Sequence, residues 1–185
     1  MILTAIRHTS VDVPSGICYG ISNVLLTDTF PKEVVQIQEQ LDTRQFDCIY
    51  SSPLKRCTQL ASVLFQEEKI TPDDRLRELN FGDWEMQPWD SVFNSSDGKA
   101  WFQDYAHATC PNGESFAELV ARVKLFLGEL KPFENEKIAL ITHAGVIRAL
   151  MCLLQGKTAD EAFRIPVDNG QIITFNFNPE WRSNP

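Results

Sequence analysis

Apolar residues fall into short β-rich runs separated by stretches with helical spacing. "ILTAI" (2–6) has the length and composition of a strand. In "PKEVVQIQEQL" (31–41) a proline opens the segment, and Val34, Val35, Ile37 and Leu41 lie roughly on one face, which predicts an amphipathic helix. "FDCIYSS" (46–52) predicts a second strand. "PLKRCTQLASVLF" (53–65) follows without a gap as a helix capped by Ser52, with Pro53 as its first residue. In "PNGESFAELVARVKLFLGEL" (111–130) turn residues lead into Ser115-x-x-Glu118, a capping box ahead of a long periodic helix. "KIALITH" (137–143) is the most strand-like stretch, "AGVIRALMCLLQ" (144–155) is the helix directly after it, and "QIITFNF" (171–177) is a final edge strand.

Strands alternating with helices predict an α/β fold, a three-layer sandwich whose mostly parallel central sheet is flanked by helices. At 185 residues, with no repeat, linker or low-complexity stretch, the sequence predicts a single domain over 1–185. One segment departs from the pattern. Residues 86–112 are mixed and irregular, and long segments of that kind in compact domains tend to be functional, so this is the candidate lid or insert.

Composition narrows the partners. With 43% hydrophobic and 23% charged residues the chain is neither disordered nor fibrous. A formal charge of -8 and a pI near 4.9 would repel nucleic acid and anionic membranes, so a bound anion must be small and must meet a local cluster of cations. The five cysteines (Cys18, Cys48, Cys57, Cys110, Cys152) show no CxxC spacing and are odd in number, so they are expected to be reduced thiols. The start "MILTAIRH" does not resemble a signal peptide and eighteen apolar residues never run together, which makes the cytoplasm the expected compartment.

Three strand ends carry the candidate chemistry. The first run stops on Arg7-His8, a permanent cation beside the one side chain that titrates near neutrality, and that pairing suits an anion. The second ends in Ser51-Ser52-Pro53-Leu54-Lys55-Arg56, the third in Thr142-His143-Ala144-Gly145. In a parallel sheet the carboxyl ends share one edge, where ligands bind, so the three should converge. His143 precedes a helix N-terminus whose amides favour an anion, and Gly145 carries no side chain to keep the backbone away. Arg56, one turn inside its helix, can point into the same crevice. Two arginines, two histidines and a helix start make a cationic pocket suited to a phosphoryl group, with no metal needed. A departing alkoxide also needs a proton. "DRLRELNFGDWE" (74–85) offers Glu78, with Asp83 and Glu85 as acidic neighbours and Trp84 expected to pack beneath the turn; His107 reads as a surface residue.

In this order the segments resemble the histidine phosphatase superfamily, the phosphoglycerate mutase-like enzymes, over almost the entire chain. "RHT" stands for Arg-His-Gly, "SSPLKRCTQLA" for the Ser-x-Pro-x-x-Arg helix, "LRELNFGDWE" for the acid-bearing segment, "PNGES" for the turn and "THAGVIR" for the second histidine. The resemblance is greatest to the branch that works in the cobalamin pathway. It implies a phosphomonoesterase without cofactor, acting through a phosphohistidine on α-ribazole 5'-phosphate. His8 would be the nucleophile, Arg7, Arg56 and His143 would hold the phosphoryl group, with Ala144 and Gly145 beside it, and Glu78 would donate the proton. Two positions depart from the family pattern. Thr9 stands where glycine is usual, and its hydroxyl is an extra candidate contact. The asparagine that many relatives carry a few residues later has no counterpart, and Ser15 is the candidate replacement.

The aromatic residues of 86–112 (Trp89, Phe93, Trp101, Phe102, Tyr105) either pack a small core or wall the substrate pocket, with Trp89 and Trp101 the candidates for stacking on an apolar base. The other enzyme readings are a broad-specificity sugar-phosphate phosphatase and a phosphoglycerate mutase. A mutase must keep water from the phosphohistidine, and the short 86–112 segment leaves little to seal the site. A non-catalytic phosphate-binding module would be expected to have lost His8 or Glu78, and both are present.

Overall fold

The computed structural model describes residues 1–41, 45–66, 68–130 and 137–176. The elements follow in chain order as β1 (Ile2–Arg7), α1 (Phe30–Leu41), β2 (Cys48–Ser51), α2 (Lys55–Leu64), β3 (Ile70–Pro72), α3 (Trp89–Asn94) and α4 (Ser96–Gln103). After them come α5 (Phe116–Glu129), β4 (Lys137–Thr142), α6 (Ala144–Gln155), α7 (Ala159–Arg164) and β5 (Ile172–Asn176). Two 3-10 turns, Asp74–Leu76 and Gly82–Trp84, bracket the acid-bearing segment.

The sheet runs β3-β2-β4-β1-β5, and only β5 is antiparallel to its neighbour. Helices cover both faces, so β4 is buried along nearly all its length and reads as a continuous apolar run. Successive side chains alternate between two cores. Ile138 and Leu140 join Leu3, Phe126, Leu127, Ile147 and Leu150 on the α5–α6 side, while Ala139 and Ile141 join Ile6, Ile49, Ile37 and Leu60 on the α1–α2 side. This is the α/β sandwich that the alternation of strands and helices predicts.

The register brings the chemistry to one edge. Arg7 pairs with Thr142 and Ser51 with Ile141, so β1, β2 and β4 stop within a residue of one another, and His8, Ser52 and His143 emerge side by side. The amides of His8 and Ser52 extend the ladder by donating to the carbonyls of Thr142 and Ile141.

The capping box at Ser115 and Glu118 forms as expected and starts α5 at Phe116. Ser52, by contrast, is not a helix cap: α2 starts two residues late, at Lys55, with Leu54 in the cap position and no side-chain cap. Residues 86–112 are irregular only in part: 89–94 and 96–103 fold as α3 and α4, with Ser95 accepting from the Gly98 amide to start the second, and they send Val92 and Trp101 into the core, while 104–112 are turns and irregular backbone. Strand β3 and helix α7 were not expected, although Thr158 and Glu161 form a capping box at the start of the latter. Residue 177 of the expected last strand lies outside the described residues. Among the described residues the five cysteines form no disulfide, and no helix is long and apolar enough to cross a membrane.

Neighbouring residues of α5 give a direct test of the packing. Phe126 is fully buried with its ring edge-on to Tyr50, whereas Leu125 is 65% exposed. Phe126→Ala should lower the free energy of unfolding by roughly 3–5 kcal/mol, and Leu125→Ala should change it by less than about 0.5 kcal/mol. Urea unfolding followed by circular dichroism measures both, and equal losses would contradict the assigned face of α5.

Candidate active site

Each candidate side chain is placed by the end of a regular element. His8 follows β1 and is buried, its Nδ1 2.7 Å from the Thr9 carbonyl. A carbonyl can only accept, so Nδ1 carries the ring proton and Nε2 keeps its lone pair free. His143 follows β4 at the cap position of α6 and is also buried. Arg56 Nε lies 3.3 Å from its Nδ1. A guanidinium can only donate, so here Nδ1 is the bare nitrogen, and Nε2 donates to Ser52 Oγ at 2.8 Å. The two imidazoles stand edge to face with centroids 5.2 Å apart. Arg56 therefore sets the tautomer of the second histidine, and the serine read as a helix cap accepts its proton.

Arg56 is 1% exposed. Its Nη1 donates to the Ser22 carbonyl at 2.9 Å and its Nη2 to the Gly20 carbonyl at 2.5 Å, while the Tyr19 ring lies 5.6 Å from its Cζ. Three of its five N–H groups are thus committed to the protein, which leaves two for an anion. Arg7 donates from Nη1 to the Val167 carbonyl, and its buried Nε has no partner. Thr9 is fully buried, and its hydroxyl also lacks a partner. Together these groups gather hydrogen-bond donors and fixed positive charge at one edge of the sheet.

Glu78 stands at the rim. Its carboxylate accepts from the Leu79 amide at 2.9 Å and from the Gly145 amide at 3.1 and 3.2 Å. The helix N-terminus at α6 therefore holds the acid, and Gly145 is what allows it: a Cβ there would collide with Glu78 Oε1. Ala144, the first residue of α6, is buried beneath. The backbone around Glu78 is held from α5, where Arg122 donates to the carbonyls of Arg75, Arg77 and Glu78 and pairs with Glu114 at 2.6 Å. Glu114, from the Pro-Asn-Gly-Glu-Ser turn, also accepts from the Asn80 amide at 3.0 Å.

Burial and nearby cations fix the protonation states. Burial, Arg56 and Arg7 hold His8 well below the ordinary histidine range, and burial, Arg56, His8 and Arg7 do the same for His143. Both rings are therefore neutral at pH 7. Cys57 Sγ lies 3.4 Å from His143 Nε2, and burial pushes its pKa to about 12, so it is a neutral thiol.

Two expected residues lie elsewhere. Ser15 is exposed and, among the described residues, makes no hydrogen bond to this group. Trp101 is 6% exposed and is crowded by Phe81, Trp84, Trp89, Phe102 and Tyr105, so its faces are taken by protein rings and it is not an open stacking surface. Trp89 is half-buried, and its amide donates to the Gly16 carbonyl, which sets its segment against the loop that carries Tyr19. His107 is exposed and pairs with Asp104, and Trp84 is buried under its turn. Asn169 was not foreseen. Its amide donates to the carbonyls of His8 at 3.3 Å and Thr9 at 2.9 Å, the latter being the group that orients the His8 ring.

The depressed histidines set a pH dependence. An unfolded histidine takes up a proton near pH 6.5, while His8 and His143 in the fold do not, so below that pH the unfolded chain binds more protons. Stability from this source is complete above pH 6.5 and is lost as the pH falls. Each ring adds at most about 1.4 kcal/mol per pH unit. Urea titrations between pH 7.5 and 5 should show the loss, with a slope shallower by about one proton in His8→Gln; an unchanged slope would contradict the assigned neutral state.

The sequence model of the histidine phosphatase superfamily (branch 1) matches residues 3–183. The chain is 28% identical to the adenosylcobalamin/α-ribazole phosphatase of Escherichia coli (strain K12), over 98% of its own length and 92% of that protein's. It is 29% identical to phosphoserine phosphatase 1 of Hydrogenobacter thermophilus, over 90% and 82% of the two chains. Among solved structures, the α-ribazole phosphatase from Shigella flexneri superposes with a TM-score of 0.87 at 27% identity, covering 97% of this chain and 92% of that one.

Proposed function

The chain belongs to the histidine phosphatase superfamily, and from that membership we propose that it is a phosphomonoesterase that works through a phosphohistidine at His8 and acts on α-ribazole 5'-phosphate in assembly of the cobalamin nucleotide loop. The observation that carries the chemistry is the Nδ1 bond from His8 to the Thr9 carbonyl, which leaves a bare Nε2 beside buried Arg56. In the first step Nε2 forms a bond to phosphorus as the ester P–O bond breaks, and Glu78 gives its proton to the departing oxygen. Water then attacks phosphorus, the Glu78 carboxylate takes its proton, and the P–N bond breaks to release phosphate and restore His8. Arg7, Arg56 and the Thr9 hydroxyl hold the phosphoryl oxygens through both steps, so most of the rate comes from positioning and fixed charge. His143, read from the sequence as a phosphoryl ligand, has its ring nitrogens on Arg56 and Ser52 and backs Arg56 instead.

The substrate rests on similarity to the E. coli and Shigella proteins and on the aromatic rim. Tyr19, over Arg56, borders the phosphate pocket, and Trp89 sits on the adjoining segment. A flat base reaching out of the pocket would meet these rings rather than Trp101.

Two experiments test the reading. A rapid quench with labelled ester should leave an acid-labile, base-stable phosphoryl group on the wild-type protein and none on His8→Ala. Across a panel of esters, α-ribazole 5'-phosphate should exceed ribose 5-phosphate, phosphoserine and 3-phosphoglycerate in kcat/KM by about ten- to a hundredfold, the worth of one stacked base at ~1–3 kcal/mol. Trp89→Ala should narrow that gap. Equal use of ribose 5-phosphate would favour the generalist phosphatase, and transfer to a second phosphoglycerate rather than to water would favour the mutase.

The proton donor separates from its acidic neighbours by leaving group. Glu78→Gln should slow hydrolysis of an alkyl phosphate by roughly 10²–10⁴ and that of a nitrophenyl phosphate far less, since nitrophenolate departs without help. Asp83→Asn should leave both rates near wild type. Equal losses of Glu78→Gln on both esters would remove it from the acid role.

A further inference from the structure

We propose that Glu85 is a positioning residue for phosphoryl transfer: its carboxylate shapes the 20–22 turn so that two backbone carbonyls of that turn fix the guanidinium of Arg56. The proposal rests on the reading above that Arg56 holds the phosphoryl group. Glu85 Oε2 accepts from the Gly20 amide at 3.0 Å, the Ser22 amide at 3.1 Å and the Ser22 hydroxyl at 2.5 Å. Its Oε1 accepts from the Ile21 amide at 3.0 Å and the Phe81 amide at 3.1 Å. Three consecutive amides converging on one anion form a nest, the backbone arrangement that binds negative charge. Here the anion is a side chain from 63 to 65 residues further along the chain.

The same residues serve both groups. Gly20 and Ser22 give their N–H groups to Glu85 and their carbonyls to Arg56. With the amides turned toward the carboxylate, the carbonyls are presented to the guanidinium on the other side. Gly20 is needed for this approach, because a Cβ there would collide with the Leu79 carbonyl and press on Glu85 Oε1. Without the carboxylate, three parallel amides have no acceptor, and the turn has no reason to keep two carbonyls aimed at a cation. Arg56 would then lose two of its three anchors and spread over several rotamers, only some of which aim its remaining N–H groups at a ligand.

A double-mutant cycle distinguishes positioning from plain loop stability. Glu85→Gln keeps the shape but removes the charge and one acceptor. It should lower kcat/KM by about ten- to a hundredfold, the fold-change of a coupling within one contact network. In an Arg56→Ala background the same change should cost less than about twofold, because the group it positions is gone. Vanadate affinity should follow the same pattern. Circular dichroism at the assay temperature checks folding, and if Glu85→Gln does not fold, Ser22→Ala replaces it, with an expected loss of about two- to tenfold that also vanishes without Arg56. Equal losses with and without Arg56 overturn the proposal and leave the functional reading intact. An Arg56→Ala variant with wild-type turnover overturns both.

Discussion

The arrangement depends on one buried charge. Arg56 is almost wholly out of water, and among the described residues its guanidinium forms no ion pair. Its partners are two carbonyls, the lone pair of His143 and the face of the Tyr19 ring. An unpaired buried ion is unfavourable by several kcal/mol even after relaxation. A dianion bound against Arg56, as proposed above, would offset that penalty. The neutral histidines follow first from their burial and then from the same charge, which repels further cations. The bare nitrogen on His143 follows as well, because a guanidinium has nothing but donors to offer it.

A charge in this position has to be held still, and the strands cannot do it alone. They end at the site, but two of the three groups that touch Arg56, and the backbone that carries Glu78, belong to turns. Two carboxylates stiffen those turns: Glu85 gathers the amides of residues 20–22, and Glu114, paired with Arg122, gathers the backbone from Arg75 to Asn80. The amide of Phe81 also donates to Glu85, which joins the two systems. Acidic residues far from the reacting atoms thus do for this cationic pocket what a second shell does for a metal ion: they orient the groups that make contact.

What was legible in the sequence was whatever local pattern carries. Runs of alternating or continuous apolar residues marked β1, β2, β4 and the long helices, and the rule that parallel strands end at one edge was enough to gather Arg7, His8, Arg56 and His143. Local rules failed where elements are short or contacts are distant. Strand β3 is three residues ending in proline, too brief for any period. Helices α3 and α4 are interrupted by Pro88, Ser95 and Gly98, which broke the periodicity and made 86–112 read as loop. Trp101 looked available because a sequence lists aromatic residues without saying which ring covers which. Ser15 is near His8 in the chain but not at the site, while Asn169, which reaches the His8 and Thr9 carbonyls, lies 161 and 160 residues away. Nothing near His8 announces such a partner, although the Asn-Gly pair before the last strand is at least turn chemistry.

The sheet order has a consequence for how the protein comes into being. β1 carries His8 and is made before the other strands of the sheet, yet both of its neighbours, β4 and β5, begin at residues 137 and 172. At translation speeds of roughly 5–20 residues per second, an apolar strand with two open edges waits for many seconds at the ribosome before anything can pair with it. Such an edge is what aggregation uses. His8, the proposed nucleophile, therefore rides on a strand that has no sheet partner until residues 137–142 have been made.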